Sequence, residues 1–257
     1  MESNAFCRDC MEAMTEFPDK FFDLAVVDPP YGDGTPPDTH TQRGNWHGKR
    51  KYHNGTASEN ASTDTSSLHT HTRNERTAKG PASTGLVGLG SEARSGKKII
   101  TWDVAPGQDD FEELFRVSRN QIIWGGNYFA LPPTRCFLVW RKLQIPLEGF
   151  SMAPVEYAWT SFCENAAMFE AFSSGDKTRF HPTQKPVSLY SWILKRFAKP
   201  GDKILDTHLG SGSSRIAAYN AGLDFWGYEI DRVYFDAQEE RFTKHSAQEN
   251  LFLQLEI

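Results

Sequence analysis

The run Leu24-Ala25-Val26-Val27, closed by Asp28-Pro29-Pro30-Tyr31, constrains this chain more than any other segment. Consecutive apolar residues bounded by turn formers read as a strand over Phe21–Asp28 that is buried on both faces. Such a strand needs cover on each side, which points to a sheet inside an α/β protein. The two prolines remove two N–H donors and fix two φ angles, so the carbonyls before and between them are left as acceptors. A carboxylate, bare carbonyls and an aromatic ring gathered at one strand end suit a planar group that carries an NH₂, such as a nucleobase amine. The same tetrapeptide also reads as a stiffened loop with a surface tyrosine, and the rest of the chain has to decide between them.

Upstream, Phe6–Cys10 reads as a short strand with its turn and Met11–Phe17 as a short helix stopped by Pro18. Beyond Gly96 the pattern predicts a helix over Asp109–Ser118 and a strand over Gln121–Trp124, then a turn at Gly125-Gly126-Asn127-Tyr128-Phe129. Strands follow over Cys136–Trp140 and Val155–Phe162. After a polar stretch, Ser173–Arg179, comes His181-Pro182-Thr183-Gln184-Lys185-Pro186, then a helix over Val187–Phe197 that opens just after its proline. The remaining elements are a strand over Lys203–Asp206, a glycine loop over Thr207–Gly212 and a helix over Ser213–Ala221 closed by Gly222. A strand over Phe225–Glu229 and a helix over Asp231–Ser246 complete the chain. Strands alternate with helices, so the expected class is α/β with a mostly parallel sheet and helices on both faces.

Residues 33–96 break this pattern. They are rich in Thr, Ser, Asn, His and Gly, hold almost no aliphatic side chains and carry five of the eight histidines. Such a segment cannot bury enough apolar surface to offset chain entropy, and it is far longer than an ordinary connection. The expectation is a single catalytic domain formed by 1–32 and 97–257, interrupted by a polar, flexible insertion over 33–96 that orders against a partner.

Net charge is -5, which by itself argues against a nucleic-acid partner, but the distribution argues for one. Residues 33–98 hold ten Lys/Arg against six Asp/Glu, and the rest of the chain holds 18 basic residues against 27 acidic ones. A basic segment beside an acidic body fits a loop that tracks phosphates, with Arg43, Trp46 and Lys49–Lys51 as candidate contacts. Four scattered cysteines make no disulfide framework, and Cys7-x-x-Cys10 without a second pair makes no zinc site. No metal is expected. With no run of 18 apolar residues and no leader pattern after Met1, the expectation is a soluble, cytoplasmic protein.

The second strong signal lies near the C-terminus. Lys203-Ile204-Leu205-Asp206 is followed by Thr207-His208-Leu209-Gly210-Ser211-Gly212: a strand, an acid at its carboxyl end, then a G-x-G turn into a helix. The glycines let backbone approach a ligand closely. Glu229 ends the next strand, 17 residues after Gly212, where an acid can take ribose hydroxyls. Asp206 would repel a dinucleotide's pyrophosphate. The pattern therefore favours a nucleoside that carries a cation, and S-adenosylmethionine is such a ligand.

Asp28-Pro29-Pro30-Tyr31, His181-Pro182-Thr183-Gln184-Lys185-Pro186 and Asp206-x-x-x-Gly210-Ser211-Gly212, in that order, resemble the DNA amino-methyltransferases of the beta arrangement. In that group the catalytic half of a Rossmann-like sheet precedes the cofactor half, a circularly permuted order. The resemblance covers residues 4–32 and 97–245, and Trp124–Phe129 also looks like small phage-type members. It implies S-adenosyl-L-methionine as methyl donor, double-stranded DNA as partner and a flipped-out base as acceptor. Asp28, Pro29, Pro30 and Tyr31 would be catalytic. Asp206, Gly210, Ser211 and Gly212 would surround the cofactor, and Glu229 would take its ribose. Asp9, within Cys7-Arg8-Asp9-Cys10, would bind its adenine, while Thr183 and Lys185 would sit near its methionine end. Thr207-His208 departs from the commoner Pro-Phe and leaves the contact at 208 open. Asp in the first catalytic position resembles adenine N6 members, Ser being commoner in cytosine N4 enzymes. Cytosine N4 or RNA-base methylation, and a DNA-binding protein that keeps only the fold, remain as alternatives. Whether a restriction enzyme accompanies the chain is not encoded here.

Overall fold

The computed structural model describes residues 1–32, 104–149, 153–172 and 179–255. The insertion over 33–96 and its candidate DNA contacts lie outside the described residues. Among the described residues, eight strands form one sheet: β1 (Ser3–Cys7), β2 (Phe22–Val27), β3 (Ser118–Trp124), β4 (Phe137–Lys142), β5 (Val155–Thr160), β6 (Ala167–Ala171), β7 (Lys203–Asp206) and β8 (Asp224–Glu229). Their order across the sheet is β1-β8-β7-β2-β3-β5-β4-β6. All pairings are parallel except those of β5 with β3 and with β4, so β5 alone runs against the others. The helices are α1 (Cys10–Met14), α2 (Gln108–Val117), α3 (Val187–Phe197), α4 (Ser213–Asn220) and α5 (Arg232–Leu255).

β2 shows why the apolar run dictates a three-layer fold. Its side chains alternate between two separate cores. Leu24 and Val26 join Leu189, Ile193 and Leu194 of α3 and Ala217 and Ala218 of α4 on one face. Ala25 and Val27 join Ala13 and Met14 of α1 and Phe111 and Leu114 of α2 on the other. The expected class, α/β with a mostly parallel sheet and helices on both faces, is what the chain adopts.

Differences from the sequence reading fall at element ends and edges. β1 begins at Ser3 rather than Phe6, because it pairs with β8 in register Ser3↔Phe225 to Cys7↔Glu229. α1 starts at Cys10, where the Asp9 carboxylate accepts from the Met11 N–H at 2.7 Å and caps it. β3 opens at Ser118, directly after α2. β6 was not expected: Ala167-Met168-Phe169-Glu170-Ala171 has no β-branched residue and, among the described residues, is an edge strand paired with β4 alone.

Candidate active site

β2 and β7 are parallel neighbours, with Leu24 opposite Ile204 and Ala25 opposite Leu205. Asp28 directly follows β2 and Asp206 closes β7, so two acids emerge side by side at the carboxyl edge. The chain leaves β2 toward α2 on one face and leaves β7 toward α4 on the other. That is where strand order reverses and a crevice opens in such sheets.

Asp28 is held by side chains. Its Oδ1 accepts from the Tyr31 phenol at 3.0 Å and its Oδ2 from the Lys185 ammonium. Lys185 is only 3% exposed. Its Nζ also lies 3.1 Å from Glu156 Oε2 and 5.2 Å from the centre of the Trp124 ring. Burial pushes the Asp28 carboxyl above its ordinary value despite Lys185 and Tyr31, and Glu156 adds to that push. Burial alone would lower Lys185, but Asp28 and Glu156 together raise it well above its usual value, so the ammonium stays charged. Among the described residues no donor reaches the Pro29 carbonyl.

The Tyr31 ring stacks on Tyr128, with centroids 4.8 Å apart and planes at 17°, and meets Phe129 edge-on at 6.4 Å. Tyr128 is 63% exposed, so this is an open aromatic surface rather than core. Gly125 makes room for it. Its φ is +68°, and a Cβ there would fall 2.0 Å from Tyr31 Cε1. The turn that positions Tyr128 therefore has to begin with glycine.

Asp206 is held differently. It is 1% exposed, accepts from the His208 N–H at 3.0 Å and from the Ser214 hydroxyl, and has no cation partner among the described residues. Burial pushes its carboxyl up to about 7. Glu229, closing β8, accepts from the Gly210 N–H and the Asp231 N–H, each at 2.8 Å, and burial raises it as well. It fixes the glycine loop while each oxygen keeps a lone pair for a ligand hydroxyl. Gly210 and Gly212 have φ of +50° and +71°. A Cβ on Gly212 would sit 3.0 Å from Gln238 Oε1. Ser211 is buried with its hydroxyl against that of Ser213 at 3.1 Å.

His181 brings the third motif to this loop. Its ring lies 3.4 Å from where a Gly210 Cβ would stand and meets Tyr234 edge-on at 4.3 Å. Its Nδ1 lies 3.1 Å from the exposed Thr183 hydroxyl, and burial together with the charge of Lys185 lowers the ring to about 4. His208 is likewise lowered to about 4 by burial, with the charge of Asp9 acting the other way. Asp9 caps α1.

The sequence-selected residues thus come together at one edge, with one unexpected placement: Lys185 engages Asp28. Sequence reasoning missed Glu156, Lys142, Gly125 and Tyr128. A lone carboxylate in the otherwise apolar run Val155–Trp159 was the available signal for Glu156.

A buried acid with no cation partner among the described residues, beside backbone forced close by glycines, fits a cationic nucleoside. Among the described residues no cluster of three metal-ligating side chains occurs, and no helix is long and apolar enough to cross a membrane.

Residues 101–240, just over half of the chain, match the N6/N4 methyltransferase family, described as DNA methylase. The chain is 36% identical over 65 residues to YubD of Escherichia coli K12, a match covering 25% of this chain and 29% of YubD. It is 31% identical over 75 residues to the type II methyltransferase M.HinfI of Haemophilus influenzae, covering 29% of this chain and 21% of that protein. These matches span less than a third of either relative. The PvuII DNA methyltransferase, cytosine-N4-specific, shares the fold with a TM-score of 0.53 at 11% identity, covering 94% of this chain and 86% of that one.

Proposed function

Because the chain belongs to the N6/N4 family of DNA methylases, we propose that it transfers a methyl group from S-adenosyl-L-methionine to the exocyclic N6 amine of a flipped-out adenine in duplex DNA. The observation that carries this reading is the pair of unlike acids on neighbouring strands. Asp28 is paired with a cation and lies beside stacked aromatic rings, whereas Asp206 is buried with no cation partner among the described residues. The first suits an acceptor for a base amine, the second a counter-charge for a cationic cofactor.

Asp206, Gly210, Ser211, Gly212 and Glu229 would hold the cofactor, with Asp9, His208 and Thr183 at its margins. When bound, it supplies a sulfonium-activated methyl group to an incoming nucleophile. The residues of this chain do the rest. The adenine amine is a poor nucleophile because its lone pair is delocalised into the ring. The Asp28 carboxylate and the Pro29 carbonyl each accept one N–H, which draws the nitrogen toward tetrahedral geometry and localises that lone pair. Asp28 also faces the proton the nitrogen must lose. Tyr31, tied to Asp28 through its phenol and stacked on Tyr128, offers the ring surface on which a base unstacked from the duplex can rest.

Adenine is preferred to cytosine because Asp occupies the first position of the catalytic tetrapeptide. The fold shared with a cytosine-N4 enzyme does not discriminate between the two. Transfer of labelled methyl from S-adenosylmethionine to duplex DNA, single-stranded DNA and RNA tests the substrate class. The expected result is incorporation into DNA. Incorporation into RNA alone would replace this reading with its nearest rival, and a protein that binds DNA but transfers nothing would reduce it to a binding role.

A further inference from the structure

The charges around Asp28 continue away from the crevice in an alternating series. Lys185 sits between the carboxylates of Asp28 and Glu156, and Glu156 sits between two ammonium groups, with Lys142 Nζ 2.5 Å from its Oε1 and Lys185 Nζ 3.1 Å from its Oε2. Each ammonium also lies against an indole, Lys185 at 5.2 Å from Trp124 and Lys142 at 5.3 Å from Trp140. The sheet fixes this arrangement. Trp140 pairs with Glu156 across β4 and β5, which puts Lys142, two residues on, diagonal to Glu156 on the same face. Glu156 Oε2 is buried, with the Lys185 ammonium 3.1 Å away.

Glu156 occupies an odd position for a residue that only stabilises the fold. Buried ion pairs are weak contributors to stability, because desolvation offsets their attraction. Its position does matter for Asp28. An ammonium held by one carboxylate alone would neutralise it and blunt it as a hydrogen-bond acceptor. Shared between two carboxylates, the same ammonium orients Asp28 with less loss of negative charge.

We propose that Glu156, supported by Lys142, is a positioning residue for methyl transfer: by sharing Lys185 it keeps Asp28 fixed in place and strong as the acceptor of the base amine. This role rests on the methyltransferase reading. Among the described residues, the charged and titratable groups that act on Asp28 are Tyr31 from its own loop, Lys185, Glu156 from β5, Tyr190 from α3 and Asp206 from β7. Of these, Glu156 is the one whose removal leaves Lys185 to Asp28 alone.

The test is Glu156→Gln, read by ¹³C NMR titration of the Asp28 carboxyl and by methyl-transfer kinetics on duplex DNA. The Asp28 midpoint should fall, because a like charge is gone and the whole ammonium now bears on it. The acid limb of kcat should move to lower pH, while kcat itself drops about tenfold, short of the ~10²–10³ typical for losing a group that touches the transition state. KM for S-adenosylmethionine should not change. A slower enzyme that tolerates more acid is not what a loosened fold produces. Lys142→Met/Glu156→Gln removes the pair without leaving an unpaired buried ammonium and carries the same expectations should the single variant fail to fold. An Asp28 midpoint that stays or rises, or an unchanged kcat, overturns the role of Glu156 and leaves the enzyme reading intact. A wild-type protein that methylates no nucleic acid overturns that reading and this role with it.

Discussion

Asp28 and Asp206 leave neighbouring parallel strands at the same edge of one sheet, yet their surroundings are built on opposite plans. Asp28 takes its partners from far along the chain, Lys185 and, through it, Glu156 and Lys142. Asp206 takes its partners from the next eight residues, the His208 N–H and the Ser214 hydroxyl. One acid is charge-compensated by Lys185, and the other is buried without a cation among the described residues. The surroundings of Asp28 are thus set by tertiary structure, whereas the hydrogen bonds of Asp206 are set by the local strand–loop–helix turn.

The sharpest way to break this comparison is to remove each acid separately. Asp28→Ala should lower kcat by at least ~10³-fold, with S-adenosylmethionine affinity retained by isothermal titration. Retained turnover would remove Asp28 from the chemistry. Asp206→Ala should do the reverse, weakening cofactor binding by about 10- to 100-fold, the size of a lost charge-assisted contact. Equal effects of the two variants on affinity would erase the distinction.

pH separates the two acids next. Asp206, held near 7 by burial, must ionise to serve as a counter-charge, so cofactor affinity should fall as pH drops below about 7. Asp206→Asn should bind weakly with a flat profile. Its effect on stability has a definite sign. A carboxyl with a folded pKa raised above its usual 3.8 contributes stability that is fully present below the unfolded value and lost as pH rises through about 7. Between pH 4 and about 7 Asp206 therefore removes stability as pH rises, while His181 and His208, lowered to about 4, add it, so the sign is read from the difference: the stability of the cofactor-free wild type minus that of Asp206→Asn should fall across this range. Thermal melts across that range check the sign.

Glycines give a smaller contrast. Gly125→Ala drives a Cβ to 2.0 Å from Tyr31 Cε1 at φ +68°, so it should cost about 1–3 kcal/mol and lower kcat by displacing Tyr31. Gly210→Ala meets His181 only at 3.4 Å, so it should cost less and act on cofactor affinity. The smallest effect belongs to Asp9→Ala, where losing the cap of α1 should cost about 1 kcal/mol. A loss of cofactor affinity beyond that would assign Asp9 a ligand role.

The same contrast explains what could be read from the sequence. The Asp206 loop, Glu229 and the α4 start are contiguous or nearly so, and their strand–acid–glycine–helix order was legible. The Asp28 tetrapeptide was legible as a site, but its partners were not. Nothing in Lys185, Glu156 or Lys142 announces that three segments spread over residues 142–185 meet behind one carboxylate. Tyr128 was visible as part of a turn, but its stack on Tyr31 depends on tertiary placement. β6 escaped because an edge strand paired on one side needs little β propensity.

The most direct measurement of the central claim is nucleoside mass spectrometry of duplex DNA incubated with the protein and isotope-labelled S-adenosylmethionine, run beside Asp28→Ala. The account predicts labelled N6-methyladenine with the wild type and none with the variant. Labelled N4-methylcytosine would contradict the choice of base, and N6-methyladenine that persists with Asp28→Ala would contradict the proposed chemistry.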